Sequence, residues 1–74
     1  AGAGPADPAL ARLSPREREI LPLLCRGLSN AQIGWELGIS EKTVRNHLSH
    51  LYDKLGLHSR AAAIAFAHAS GLHD

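Results

Sequence analysis

Cysteine occurs once in this sequence, at Cys25, so no disulfide can form within the chain. Its apolar neighbours Leu23, Leu24 and Leu28 predict a plain buried thiol, and the expected location is a reducing cytoplasm. Aromatic residues make up only 4% of the chain against 45% hydrophobic residues, which leaves leucine, isoleucine, valine and alanine to build the core and favours helices. Long apolar runs are also missing. The most apolar stretch, Ala61 to Ala67, falls far short of the ~20 residues that a membrane span needs, and no charged-then-apolar leader opens the chain, so a soluble protein without membrane contact is expected. A net charge of +1 and a pI near 8.3 exclude bulk basicity as the source of any attraction to nucleic acid; local placement must supply it.

Signs of catalysis are equally scarce. With 74 residues the chain holds one modest core and has no room for a deep catalytic pocket beside it. No serine, cysteine or carboxylate pairs with a histidine in a nucleophile arrangement, and no glycine-rich loop follows a strand to cradle phosphate. His47 and His50 stand three apart on an expected helix, but no carboxylate or cysteine has a matching spacing, so neither a metal nor any other cofactor is expected. His58, His68 and His73 are expected to face solvent. The reading is of a binding domain rather than an enzyme.

Punctuation, by contrast, is abundant and regular. Ser14, Ser29, Ser40 and Ser59 each suit an N-cap, while Gly27, Gly38, Gly56 and Gly71 each stand where a helix would stop in the left-handed conformation. Ser14-Pro15-Arg16-Glu17 and Ser29-Asn30-Ala31-Gln32 are capping boxes, the first with proline at the first helical position. Between the caps, Ile20, Leu23, Leu24 and Leu28 form one apolar face, Ile33 and Leu37 a shorter one, and Val44, Leu48, Leu51 and Leu55 a third. No strand pattern competes. The expected fold is all-α, with helices at about 15–26, 30–37, 41–55 and 60–70. The opening AGAGPADPALA has the composition of a linker, so residues 1–12 are read as flexible, joining an upstream domain to a folded unit at 13–74.

Only Gly38 and Ile39 separate the second helix from the Ser40 cap, a tight turn that holds two short helices at a steep angle with Ile39 plugging the corner. This is a helix-turn-helix arrangement. The third helix then presents Lys42, Asn46 and Ser49 outward, flanked by Arg45 and Thr43, with donors and acceptors suited to base edges and phosphates: arginine grips guanine, asparagine grips adenine. Glu41, in its first turn, complements the positive end of the helix.

The segments LSPREREIL, GLSNAQIGWELGISEKTVRNHLSHLYDKLGL and SRAAAIAFA resemble, from Leu13 to about Leu72, the four-helix DNA-binding domain of LuxR-type transcription regulators, also called NarL-type or GerE-type. The resemblance implies that Arg45, Asn46 and Ser49 contact bases, and that Lys42, Thr43, His50 and Lys54 lie near the sugar-phosphate backbone. It further implies double-stranded DNA as partner, a homodimer on that DNA, an upstream receiver or sensor domain such as that of a two-component response regulator, and contact with RNA polymerase.

Helix four carries two apolar stripes where a core needs one. Ala61, Ile64 and Ala67 share one side, from which Ile64 is assigned to the core; Ala62, Ala65, Phe66 and Ala69 share the other, assigned to a two-fold contact in which small residues let paired helices approach closely, with Phe66 able to serve both surfaces. Two residues depart from the family pattern. Pro22 removes the amide that would bond the Arg18 carbonyl, which predicts a bend in helix one; Trp35 falls on the outer side of helix two, as a partner anchor or a packing cover. Two other readings compete with the DNA-binding output domain: a helical protein-interaction module built on Trp35 and helix four, and a DNA-binding piece resembling a sigma factor.

Overall fold

Each helix begins where a serine hydroxyl can replace a missing helical acceptor. The computed structural model describes residues 8–71. Its helices are α1 (Pro15–Cys25), α2 (Asn30–Leu37), α3 (Glu41–Leu55) and α4 (Arg60–Ala69), preceded by a 3-10 turn at Pro8–Arg12. Ser14, Ser29, Ser40 and Ser59 all have extended backbone, and each Oγ accepts from the amide three residues on. Both capping boxes close: the Glu17 and Gln32 side chains accept from the Ser14 and Ser29 amides at 2.8 Å. Each such serine is worth about 1 kcal/mol against alanine. At the other ends, Gly38 and Gly56 are themselves left-handed C-caps, while Gly27 and Gly71 take the left-handed conformation just past the caps Arg26 and Ser70. Helices α1 and α4 thus each stop one residue short of the sequence expectation.

The helices pack as two pairs, α1 on α4 and α2 on α3, joined along α1 and α3. Ile20, Leu21 and Leu24 of α1, Ile33 of α2, Val44 and Leu51 of α3, and Ala63 and Ala67 of α4 are fully buried at the junction. Burying each of the larger side chains stabilises the fold by ~1.5–3 kcal/mol, which is the main force holding so short a chain together.

Several expectations need correcting. Residues 8–12 are not a free linker: they form the 3-10 turn, Leu10 packs on the core, and Arg18 Nη2 donates to the Leu10 carbonyl at 2.8 Å. Residues 1–7, the remainder of the expected linker, lie outside the described residues, as does His73. On α4 the fully buried side is Ala63 and Ala67 with Ser70, a side that the expected stripes did not single out; Ile64 and Phe66 are half-buried and pack on the core as expected, and Ala61 is exposed. Helix α1 continues past Pro22 to Cys25, with Leu21, Leu23 and Leu24 beside the proline buried in the core. Cys25 is half-buried rather than enclosed; burial still pushes its thiol pKa up, and Sγ donates to the Ile64 carbonyl at 3.8 Å.

Candidate nucleic-acid interface

The turn between α2 and α3 sets how the third helix is presented. Gly38 supplies the positive φ of 71° that ends α2, and the Ile39 amide then donates back to the Gly34 carbonyl at 2.9 Å. The chain passes so close to α2 that a Cβ at residue 34 would lie 2.6 Å from the Ile39 carbonyl oxygen. Glycine inside a helix costs about 1 kcal/mol relative to alanine; here it permits the close crossing. Ile39 packs on the core as a plug in the corner.

Held this way, α3 points Val44, Leu48 and Leu51 inward and leaves Lys42, Arg45, Asn46, Ser49 and His50 exposed on the opposite side, with Thr43 and His47 half-buried at the margins. Arg45 Nη1 lies 3.3 Å from Glu41 Oε2, an ion pair in which both side chains are more than half exposed. Such a pair is worth at most ~1 kcal/mol, so Arg45 can leave it for another acceptor at little cost. Thr43 is committed locally: its amide donates to Ser40 Oγ at 3.0 Å and the two hydroxyls are 2.9 Å apart. Shallow grooves flank the helix, one lined by Asn30, Arg45, Leu48, Ser49, Tyr52 and Arg60, the other including His50, Asp53 and His58.

Two cations bordering this side, Lys54 and Arg60, are bonded within the fold. Lys54 Nζ donates to Glu17 Oε1 at 2.9 Å, and that oxygen also accepts the Ser14 amide. Glu17 is 3% exposed. Burial alone would raise its pKa, but the hydrogen bond from Lys54, the Ser14 amide and the lysine charge outweigh it and hold the carboxyl below its ordinary value. Arg60 reaches from the start of α4 to Asn30 Oδ1 and the Leu28 carbonyl. Neither arrangement has a local sequence signal, since the partners are 37 and about 30 residues apart.

Among the remaining candidates, Ala65 and Ala69 are exposed on α4 while Ala62 and Phe66 are half-buried. Trp35 is 87% exposed on α2, which dismisses the packing-cover reading and leaves it a free surface aromatic between two shallow grooves. Among the described residues, no group of three or more histidine, cysteine or acidic side chains is placed to hold a metal, and no helix is long and apolar enough to cross a membrane.

Residues 11–67 match the family described as bacterial regulatory proteins, luxR family. The chain belongs to the LuxR family. Among other members, it is similar to a probable HTH-type transcriptional regulator, GfsR, of Streptomyces halstedii, at 54% identity over 61 residues covering 82% of this chain and 25% of that protein. It is also similar to the nitrate/nitrite response regulator protein NarL of Escherichia coli strain K12, at 44% identity over 57 residues covering 77% of this chain and 26% of NarL. The solved structure of the transcription factor GerE superposes with a TM-score of 0.72 at 48% identity, covering 81% of this chain and 90% of that one. This LuxR-family chain therefore spans only about a quarter of the length of these curated relatives. Gly34 and Glu17 are the functional-site supports that the sequence reading passed over: a glycine in the middle of a helix was visible as an anomaly, whereas Glu17 looked fully explained by its capping box.

Proposed function

We propose that this LuxR-family domain binds double-stranded DNA as the output domain of a bacterial transcription regulator, with α3 lying in the major groove. The observation that carries the reading is the continuous exposed surface of Lys42, Arg45, Asn46, Ser49 and His50 on a helix whose opposite side is buried and whose angle is fixed by a close helix-turn-helix crossing. Arg45, Asn46 and Ser49 read base edges; Lys42 and His50 approach phosphates. Thr43 serves chiefly as a cap partner for Ser40, and Lys54 acts on DNA mainly by steadying α3 against α1. The similarity to NarL, a response regulator, favours a two-component response regulator, with an upstream receiver domain and RNA polymerase as the further partners in this reading.

Affinity in this reading depends on two copies. Few side chains on the surface carry free positive charge, so one domain neutralises few phosphates, and adjacent half-sites are bound by a homodimer joined through Ala62, Ala65, Phe66 and Ala69 of α4. The test is selection of duplexes from a randomised pool by this chain, followed by mobility-shift titration. Enrichment of a two-fold repeated site supports the reading; enrichment of an unrepeated site favours the piece resembling a sigma factor, and no retention of duplex DNA favours the protein-interaction module.

A further inference from the structure

Arg60 occupies a position where a cation is disfavoured. It is the first residue of α4, at the end of the helix made positive by its free amides. Its guanidinium turns away from that end and crosses to the opposite helix pair: Nη1 donates to Asn30 Oδ1 at 2.8 Å and Nη2 donates to the Leu28 carbonyl. Asn30 opens α2, and Leu28 directly precedes its Ser29 cap. Because α1 packs on α4 and α2 on α3, α2 has little packing of its own against α4, and this guanidinium bridges the gap.

We propose that Arg60 is a positioning residue for DNA reading: it anchors the start of α2, and through the Gly34–Ile39 crossing sets the angle at which α3 is presented, without itself contacting phosphate. The inference rests on the DNA-binding reading above. Arg60 borders the groove that also holds Arg45, Ser49 and Tyr52, so a direct phosphate contact is the natural competing role. Its donors decide between them. Both terminal nitrogens are aimed at oxygens inside the domain, and swinging the fork toward a phosphate would leave the part-buried Leu28 carbonyl and Asn30 Oδ1 without their donors. Lysine cannot substitute, because a single ammonium does not reproduce the planar fork that spans two separate acceptors.

Binding of the 74-residue chain to a short fluorescent duplex, enriched from a randomised pool by the wild type, is measured across a salt series for wild type, Arg60→Ala, Arg60→Lys and Asn30→Ala. Arg60→Ala is expected to lower affinity at least about tenfold, the scale of a lost charge-assisted hydrogen bond, with the slope of log affinity against log salt unchanged. Arg60→Lys should lose nearly as much, and Asn30→Ala should weaken binding in the same direction with the same slope. Circular dichroism checks folding; should Arg60→Ala unfold, Arg60→Lys and Asn30→Ala carry the test. A slope reduced by ~0.9 on removing Arg60, or affinity restored by lysine, would identify a phosphate contact and overturn the proposal. Wild-type binding matched by every variant would remove this role alone, whereas a wild type that binds no duplex would remove the DNA reading and the role together.

Discussion

Replacing Lys54 by methionine should cost the domain stability in a way that depends on pH. The Glu17 side chain is 4% exposed and loses the lysine that pairs with it, keeping the hydrogen bonds of Ser14. Stranding a fully buried charge typically costs 3–5 kcal/mol; Lys54 is 36% exposed, so solvent screens part of the pair and the expected loss is roughly 2 kcal/mol. For a domain of this size that lowers Tm by about 8–16 °C. Glu17 is held below the ordinary glutamate pKa of about 4.3, so its pairing stabilises the wild type fully above that value and is lost as pH falls through the depressed folded-state value. The variant, deprived of the lysine, takes up a proton earlier as pH falls. The difference in Tm should therefore be widest near neutrality and close in acid. Thermal unfolding followed by circular dichroism at both ends of that range measures it, and adding Glu17→Gln should recover part of the loss because no charge is then left behind. A Tm difference that is absent at neutral pH, or that persists unchanged in strong acid, would refute the assignment of Lys54 to the buried carboxylate.

Gly34→Ala places a methyl group against the Ile39 carbonyl, so despite better helix propensity it should lower Tm and weaken DNA binding together; an unchanged or raised Tm would show that the crossing relaxes freely. Pro22→Ala restores an amide opposite the Arg18 carbonyl in a continuous helix and should raise Tm by a few degrees, whereas a lower Tm would show that the proline ring packs better than alanine can. Ala65→Lys changes an exposed residue of α4, so the fold should survive by circular dichroism while cooperative binding to a two-half-site duplex falls sharply; equal losses on a single half-site would take α4 out of the dimer contact.

What was legible in the sequence was what is encoded locally. A serine and the residue three positions on are neighbours at any helix start, so all four N-caps, the left-handed glycines and the span of α3 could be read directly. The exposed side of α3 followed from the single apolar stripe opposite it. Helix α4 was harder, because alanines surround it and a methyl group on nearly every side leaves the periodicity without contrast; Ala63, fully buried, was therefore overlooked in favour of Ile64. The 3-10 turn at Pro8–Arg12 was masked by a linker-like composition, since Leu10 gains its meaning only from the core it meets. The bonds of Lys54 and Arg60 were not legible because nothing nearby in sequence announces Glu17 or Asn30 as partners.

The central claim is that the exposed side of α3 reads bases. Its most direct test is the affinity of Asn46→Ala for the duplex that the wild type selects, set against a scrambled duplex of equal length. Asn46 is exposed and takes no part in the core, so the fold should be unaffected; the variant should lose ~1–3 kcal/mol on the selected site, scarcely change on the scrambled one, and relax the preference at one base position. An equal loss on both duplexes, or no loss on either, would contradict the placement of the reading surface on this side of α3.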